Sequence, residues 1–263
     1  MENEKPYLSF DWYFTDLSKR DGARFHALRD KEKETFVLIK LIEADSLVHF
    51  SLWSELPKNH PVGELWLESN TDLLATIYLA YGGFFRQALA ILRCWFEIAI
   101  HGVFFSNHYG QPTSPYEQWR KGQRNAPANM VDVARSLASR QDMVVKVDED
   151  TILKKLDPLY SFLSQQTHAQ GLDVHDLQKG RDNVPRYLPR SFDIWYEKVL
   201  EVFDAFCFLY RIFYVNEITA YVRKTNAETQ RTSELRKLLS TSIPEFGKLM
   251  NAVLQKCQER EKN

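Results

Sequence analysis

The sequence predicts an all-α fold, a multi-helix bundle built on a central helical hairpin with a C-terminal helical extension. Three observations support this prediction. Long runs repeat their apolar residues at three- and four-residue spacing, no two segments alternate like paired strands, and a Gly-Gly pair divides the most apolar stretch. We expect a single bundle domain over residues 1–226, with the extension over 227–263 packing on it or on a partner.

The central hairpin is predicted from Asp72 to Phe105. Apolar residues recur at helical spacing over 73–81 and again after Phe84. Gly82 and Gly83 lie between these two runs, and glycine ends helices readily because it accepts a left-handed conformation without a Cβ clash. We therefore expect two helices joined by a tight turn.

Other helices are expected on both sides of the hairpin. Before the hairpin, one helix covers 31–56, and another begins at Gly63 or Glu64 and leads into the hairpin. After it, helices are expected within 116–124 and over 128–140, 153–169, 191–224, 228–240 and 244–260. Pro158 either restarts or kinks the helix over 153–169, and Ser191 is the expected N-cap of the helix over 191–224. In the helix over 31–56, the residues that fit a core-facing face are Phe36, Ile39, Leu41, Ile42, Leu47, Phe50 and Trp53. The aromatic segment 7–14 is expected to pack on the body, 141–150 to be loop or a short extended piece, and 170–190 to be a long polar connection.

Composition limits the possible functions. The chain has a net charge of −1, which argues against a global attraction to nucleic acid or to an anionic membrane, although local patches remain possible. Its three cysteines are far apart, which predicts buried thiols and no disulfide or zinc site. The first ten residues lack the order of a signal peptide, and the longest uncharged run in the hairpin is too short to span a bilayer. We expect a cytoplasmic protein that does not enter membranes.

No common catalytic signature is present in the sequence. It lacks a phosphate-binding glycine loop, a dinucleotide-binding glycine triad, a His-Glu-x-x-His zinc motif and a Gly-x-Ser-x-Gly nucleophile elbow. We therefore expect neither a cofactor nor a metal ion. Candidate site residues have to come from polar groups within the apolar helices.

One such group lies on the second hairpin helix, where Arg86, Arg93, Glu97 and His101 follow one another at steps of seven, four and four residues. These steps place the four side chains near one stripe, and Arg93 and Glu97 are spaced for an ion pair. One interpretation is a partly buried structural pair that fastens this helix to a neighbour. The other is a polar site between helices.

His168 is a second candidate. It follows Tyr160, Leu163, Ser164 and Thr167 at helical spacing and stands at the expected end of its helix. A histidine there can cap the last carbonyl groups. It can also serve as a general acid or base, because its usual pKa lies near neutrality.

Two segments resemble the HEPN family of all-α domains over about residues 64–171. In AYGGFFRQALAILRCWFEIAI, the family pattern has a glycine at a helix end, an aromatic residue, an alanine and an inward glutamate, which match Gly83, Phe84, Ala88 and Glu97. In LYSFLSQQTHAQG, a helix ends in a histidine and a small residue, His168 and Ala169. The resemblance implies a helical bundle, commonly dimeric. Many members of the family are metal-independent ribonucleases of toxin, abortive-infection or phage-defence systems, and others are inactive RNA-binding or scaffolding modules, so the resemblance implies one of these two roles.

The family's catalytic motif, an arginine followed after four to six residues by a histidine, is not intact. Ser161, Phe162 and Leu163 occupy the positions where that arginine is needed for His168. Either Arg86 or Arg93 supplies it from the hairpin helix, or this chain is a non-catalytic member.

Two functions follow as hypotheses. The first is an RNA-binding or RNA-cleaving protein with His168, Arg93 and Glu97 as the catalytic set. RNA would be guided by the basic residues Arg86, Arg120, Lys121, Arg124, Arg181, Arg186 and Arg190. The second is a non-catalytic helical scaffold or dimerisation module that binds a protein partner or a second copy.

Overall fold

The computed structural model has eleven helices and no strand in the part of the chain that it describes. The described residues are 22, 24–107, 109, 114–123, 125, 127, 129–167 and 187–261. In chain order the helices are α1 (24–30), α2 (Glu32–Glu55), α3 (Pro61–Tyr81), α4 (Phe85–Ser106), α5 (Pro115–Arg120), α6 (Met130–Ala138), α7 (Glu149–Thr167), α8 (Pro189–Phe213), α9 (Val215–Val222), α10 (Asn226–Leu239) and α11 (Pro244–Glu261). The predicted all-α bundle is confirmed.

The turn between α3 and α4 is the predicted Gly-Gly turn. Gly83 has a φ of 80°, which is the left-handed conformation that glycine adopts without strain. The Phe84 N–H donates to the carbonyl of Leu79 at 2.9 Å and the Gly83 N–H to that of Ala80 at 3.0 Å. This pair of bonds is a Schellman motif, which satisfies carbonyl groups at the end of α3 and reverses the chain.

Helices α4 and α8 run in the same direction through the core. Trp95 of α4 packs edge-on against Phe206 of α8, with ring centroids 4.9 Å apart. Closer to the α3–α4 turn, the Thr76 hydroxyl of α3 donates to the carbonyl of Ala88 in α4 and accepts from Trp195 Nε1 in α8. Aromatic side chains that are almost completely buried therefore fill the space between the hairpin and α8.

Helix α7 runs opposite to α8. Lys155, near the start of α7, binds Asp204, and Phe162, near its end, lies under the ammonium group of Lys198 at 4.8 Å. Because α4 is parallel to α8, α7 is also antiparallel to α4. The end of α7 therefore meets the starts of α4 and α8 at one end of the bundle, which we call the hairpin end because the α3–α4 turn lies there.

Helix α2 is parallel to α8 and also begins at the hairpin end. Lys31 binds Asp193 at the start of both helices, and His49 Nε2 lies 2.9 Å from the Tyr210 hydroxyl farther along. His49 Nδ1 lies 2.9 Å from the backbone carbonyl of Asp45 and 3.0 Å from its Oδ1, so the buried His49 ring links the backbone of α2 to Tyr210 of α8. His49 and Tyr210 are 161 residues apart in sequence, and sequence reasoning did not find their contact.

Several predicted boundaries need correction. Helix α3 begins at Pro61 and not at Gly63 or Glu64, because proline fits the first helical position. Ser191 is not an N-cap: α8 begins at Pro189, and Ser191 lies inside its first turn. The single helix predicted over 191–224 is divided at Tyr214, whose φ of −128° is not helical. Helix α7 continues through Pro158.

The predicted core-facing side of α2 is partly wrong. Leu41 and Leu47 are buried as expected, together with Leu38, Val48 and Leu52. Phe36, Ile39, Phe50 and Trp53, however, are between 46% and 62% exposed. Helix α2 therefore has two apolar sides, one in the core and one on the surface.

The segment predicted as a C-terminal extension contributes α10 and α11, which pack on α8, α9 and α2. Asp204 of α8 accepts a hydrogen bond of 2.7 Å from the Glu245 N–H in the first turn of α11. Arg211 of α8 forms an ion pair of 3.0 Å with the Glu245 carboxylate. A cap and an ion pair thus attach α11 to the core helix. The aromatic segment 7–14 lies outside the described residues, as do residues 170–186 of the predicted polar connection.

Candidate functional site at the α4–α7 interface

Arg93 and Glu97 form the ion pair that their spacing predicts. Arg93 Nε donates to Glu97 Oε1 at 2.8 Å, and the two side chains are 18% and 27% exposed. The pair is therefore partly buried but still reached by solvent. Among the four residues of the predicted stripe, only these two bind each other in this way.

Tyr160 of α7 completes this group. Its hydroxyl lies 3.5 Å from Arg93 Nη2, and the Arg93 guanidinium carbon is 5.4 Å from its ring centroid, within range of a cation–π contact. Burial alone would lower the pKa of Arg93, but Glu97 and Tyr160 outweigh it and raise that pKa above its usual value. The guanidinium group is thus held in one orientation, and most of its Nη hydrogens remain available to a ligand.

The contact between Arg93 and Tyr160 determines which residues of α4 and α7 lie at the same level along the bundle. From Tyr160 to Thr167 and from Arg93 back to Arg86 the distance along each helix is about 10 Å, since each residue rises 1.5 Å. Because the helices are antiparallel, Thr167 and Arg86 lie at a similar level at the hairpin end. Arg86 is exposed there. His168 follows Thr167 in the chain and lies outside the described residues.

Ser164 lies between Tyr160 and His168 in sequence, four residues from each. Its hydroxyl is buried and has no hydrogen-bond partner among the described residues. Tyr160 and Ser164 were not predicted as site residues. The helical spacing of both with His168 was the available signal, and the contact with Arg93 is what gives Tyr160 a place in the site.

The predicted basic residues do not all lie near this group. Arg120 is 3.5 Å from Glu64 and 3.3 Å from Glu117, so carboxylates already surround its charge, and the neighbouring Lys121 is exposed. Both follow Trp119, whose ring contacts His101 on α4. His101 is about 22 Å along the helix from Arg86. Arg120 and Lys121 therefore lie far from the hairpin end.

Arg190, unlike Arg120 and Lys121, lies at the hairpin end. It is exposed in the first turn of α8, at the same end of the bundle as Arg86. Neither α4 nor α8 has an acidic residue in its first turn, so the positive ends of both helix dipoles are uncompensated there by their own helices. Arg124, Arg181 and Arg186 lie outside the described residues.

His101 does not join the Arg93 group. It is buried against the rings of Phe105 and Trp119. Burial lowers the pKa of His101 to about 4, so that the imidazole is neutral at pH 7. This residue belongs to a small aromatic cluster between α4 and α5.

Cys94, predicted as a buried thiol, is exposed beside Arg93 on α4, whereas Cys207 and Cys257 are buried. Within the described ranges no three His, Cys, Asp or Glu side chains are grouped closely enough to hold a metal ion. Among the same residues, α4 is the one helix long and apolar enough to cross a bilayer by composition, and most of it is buried by other helices, as in the core of a bundle.

Comparison with known proteins adds no relative. No protein-family model, no curated protein and no solved structure matches this chain. The resemblance to the HEPN family stays a prediction that rests on the residues quoted above.

Proposed function

We propose that this protein binds RNA at the hairpin end of α4 and α7 and cleaves it there without a metal ion. The observation that carries the proposal is the contact of Arg93 with Tyr160. It sets Arg86 of α4 at the level of Thr167, the residue that precedes His168 in the chain, and so supports a site shared by the α4 arginines and His168. As the family resemblance implies, such an activity would belong to a cytoplasmic toxin or phage-defence system.

In the proposed site, Arg93 binds a phosphate group of the RNA backbone. A guanidinium group suits this role because its N–H donors match two phosphate oxygens at once. Glu97 holds Arg93 through its Nε, so Glu97 is a positioning residue and not a direct participant. Arg86 and Arg190 contribute exposed positive charge at the same end of the bundle.

The proposed reaction uses His168 as general base. It takes the proton of a ribose 2′-hydroxyl, the 2′-oxygen attacks the adjacent phosphorus, and the 5′-oxygen of the next nucleotide leaves and takes a proton from water. Arg86, at the level of Thr167, stabilises the negative charge that develops on the phosphate oxygens, and Arg93, about 10 Å along α4, binds a neighbouring phosphate group. The products are a 2′,3′-cyclic phosphate and a 5′-hydroxyl end.

The test is incubation of end-labelled structured RNAs with the wild-type protein and with the Arg86→Ala, Arg93→Ala, Arg93→Lys and His168→Ala variants. Arg135→Ala is the matched control, because Arg135 is an exposed arginine on α6. We expect cleavage with cyclic-phosphate ends by the wild type and the control, a loss of about a hundredfold or more in Arg86→Ala and His168→Ala, and a smaller loss in Arg93→Ala. Absence of cleavage by folded wild-type protein would contradict the catalytic part of the proposal.

RNA binding is measured separately from cleavage, by fluorescence anisotropy at several salt concentrations. We expect Arg93→Ala and Arg86→Ala to weaken binding and to lower its salt dependence, since each removes a phosphate contact. No measurable binding by the wild type at low salt would refute the proposal as a whole.

A second candidate function, a non-catalytic docking module, is favoured by one specific observation. The surface of α1, α2 and α3 exposes a group of large apolar side chains that is unusual for an isolated soluble domain. The two functions are separable, because substitutions on that surface should leave RNA cleavage unchanged.

A further inference from the structure

An exposed apolar surface follows the outer side of α2 and the adjoining side of α3. We call it the α2–α3 apolar face and define it by six residues that are each between 46% and 62% exposed: Phe36, Ile39, Phe50, Trp53, Leu74 and Tyr78. On α1, Phe25 and Leu28 extend it and are at least 50% exposed. These eight are two thirds of the twelve large apolar residues that are exposed within the described part of the chain, so the exposure is concentrated on one side.

The residues on α2 have the spacing of a helix–helix seam. Phe36, Ile39, Phe50 and Trp53 occupy positions of a 3.5-residue repeat, with Glu43 and Ser46 at the two positions between them. The stripe is about 26 Å long at 1.5 Å per residue. A stripe of this kind packs well against another helix and poorly against water.

A groove opens beside this stripe. It has a volume of about 330 Å³ and lies between α1, α2 and α3, with Leu28, Ile39, Ile42, Leu74 and Ile77 among its lining residues. Such a groove can receive the projecting side chains of a second helix.

The area fits a stable protein interface. A Phe, Tyr or Trp side chain has about 150–250 Å² to bury, so the five half-exposed aromatic side chains offer about 500 Å², and the three smaller aliphatic ones bring the total to about 700 Å². A standard interface uses about 800 Å² of each partner, and the largest apolar patch of a typical monomer is about 300–600 Å². The face therefore has the size that a dimer needs.

The stripe is also complementary to itself. If two α2 helices pack antiparallel about a two-fold axis, Phe36 lies against Trp53 of the second copy, Ile39 against Phe50, and Glu43 against Ser46. In a parallel pair Glu43 would face the Glu43 of the second copy, which is a like-charge contact. In the antiparallel pair no like charges meet on the stripe, and Lys40 of the same helix already binds Glu43 at 2.8 Å.

We propose that the α2–α3 apolar face binds a second copy of this chain, with the two α2 helices antiparallel. The proposal does not depend on the proposed RNA site, because it uses a different surface and different residues.

The test is the association state of the full chain by analytical ultracentrifugation between about 0.1 and 100 µM, the range in which standard-size interfaces of moderate affinity dissociate. We expect a dimer whose dissociation constant rises about 30-fold or more in Ile39→Glu, the loss that one central interface side chain causes. Val131→Glu is the matched control, because Val131 is 38% exposed on α6, outside the face. Circular dichroism checks that each variant is folded.

Two double variants test the antiparallel arrangement. Ile39→Glu with Phe50→Lys brings opposite charges together in an antiparallel pair, whereas Ile39→Glu with Phe50→Glu brings like charges together. Both lose the same apolar contacts, so we expect the Glu/Lys variant to associate at least about tenfold more tightly. Equal association of the two would overturn the antiparallel arrangement.

Three outcomes would overturn the proposed interface. The full chain could remain a monomer at all concentrations, or it could form a dimer that Ile39→Glu does not weaken, which would place dimerisation elsewhere. In the third outcome the full chain is a monomer and a chain without residues 1–21 is a dimer. That result would assign the aromatic segment 7–14 as the occupant of the face in the full chain.

Discussion

Replacing Thr76 by valine tests the polar contact that holds α3, α4 and α8 together. The Thr76 hydroxyl is buried, donates to the Ala88 carbonyl at 2.7 Å and accepts from Trp195 Nε1 at 2.9 Å. Valine has nearly the same shape as threonine, so the substitution removes these two bonds without leaving a cavity. The Ala88 carbonyl keeps its bond within α4, but the buried Trp195 N–H has no other partner among the described residues.

The expected loss follows from that unpaired N–H group. Leaving a buried donor without a partner costs about 1–3 kcal/mol, so we expect Thr76→Val to lower the free energy of unfolding by about 2 kcal/mol. For a chain of this size such a loss lowers Tm by about 4–8 °C. Thr219→Val is the matched control. The buried Thr219 hydroxyl bonds only to the Val215 carbonyl of its own helix, and its loss should cost less than about 0.5 kcal/mol.

Urea denaturation followed by tryptophan fluorescence and circular dichroism measures these differences. A double-mutant cycle with Trp195→Phe isolates the bond, because phenylalanine has no N–H group to leave unpaired. In that background Thr76→Val should cost less than about 1 kcal/mol. Equal losses for Thr76→Val and Thr219→Val, or strictly additive effects in the cycle, would refute the reasoning.

Three further predictions concern other parts of the molecule. Glu97→Ala should lower the free energy of unfolding by about 0.5–1 kcal/mol, because its ion pair is only partly buried, and unchanged thermal unfolding would show that the pair does not support the fold. Gly83→Ala should lower the free energy of unfolding, measured by chemical denaturation, by about 1–2 kcal/mol because of the positive φ of Gly83. Gly63 lies in a helix with room for a methyl group, so Gly63→Ala should be neutral or stabilising. Equal effects of the two substitutions would contradict this account. The pKa of His60 and of His101 is lowered to about 4, mainly by burial, so the unfolded chain binds more protons as the pH falls below about 6.5. The free energy of unfolding should therefore fall between pH 7 and 4, by up to about 2 kcal/mol for each histidine at pH 5. His101→Phe should make this pH dependence, measured by urea denaturation, less steep. An unchanged pH dependence would argue against a buried neutral imidazole.

The hairpin could be predicted from the sequence because its causes are local. A left-handed residue is needed just past the end of α3, and Gly83 stands there. The pair of Arg93 and Glu97 was predictable for the same reason, since four residues on one helix fix the distance between them. Such features depend on neighbours in the chain and not on the packing of distant helices.

The outer side of α2 could not be predicted in this way. Apolar residues at three- and four-residue spacing identify a helix, but α2 has two such stripes, and the spacing does not say which one faces the core. Leu41 and Ile39 fit the pattern equally, yet Leu41 is buried and Ile39 is half exposed. The positions of α3, α8, α9 and α10, which pack on α2, decide between them.

The candidate site was also only partly predictable. Its α4 residues share one helix, but the contact of Arg93 with Tyr160 joins residues 67 positions apart and depends on how α7 packs. Arg120 looked like part of the same basic surface, but its helix packs near His101, at a distance from Arg93 that no local pattern reveals. Long-range contacts, and not residue types, decided which candidates came together.

The two proposed surfaces have a geometrical relation that bears on function. Helix α2 begins at the hairpin end, where Lys31 binds Asp193 close to Arg190. In an antiparallel pair of α2 helices the hairpin ends of the two copies point in opposite directions, and the axis passes between Glu43 and Ser46, about 18 Å from the start of each α2. The two RNA sites would then lie at opposite ends of the dimer, and neither copy would complete the site of the other. Dimerisation would therefore join two independent sites, so that affinity for a short RNA is unchanged by Ile39→Glu, while a long RNA that reaches both ends binds the dimer more tightly than the monomer.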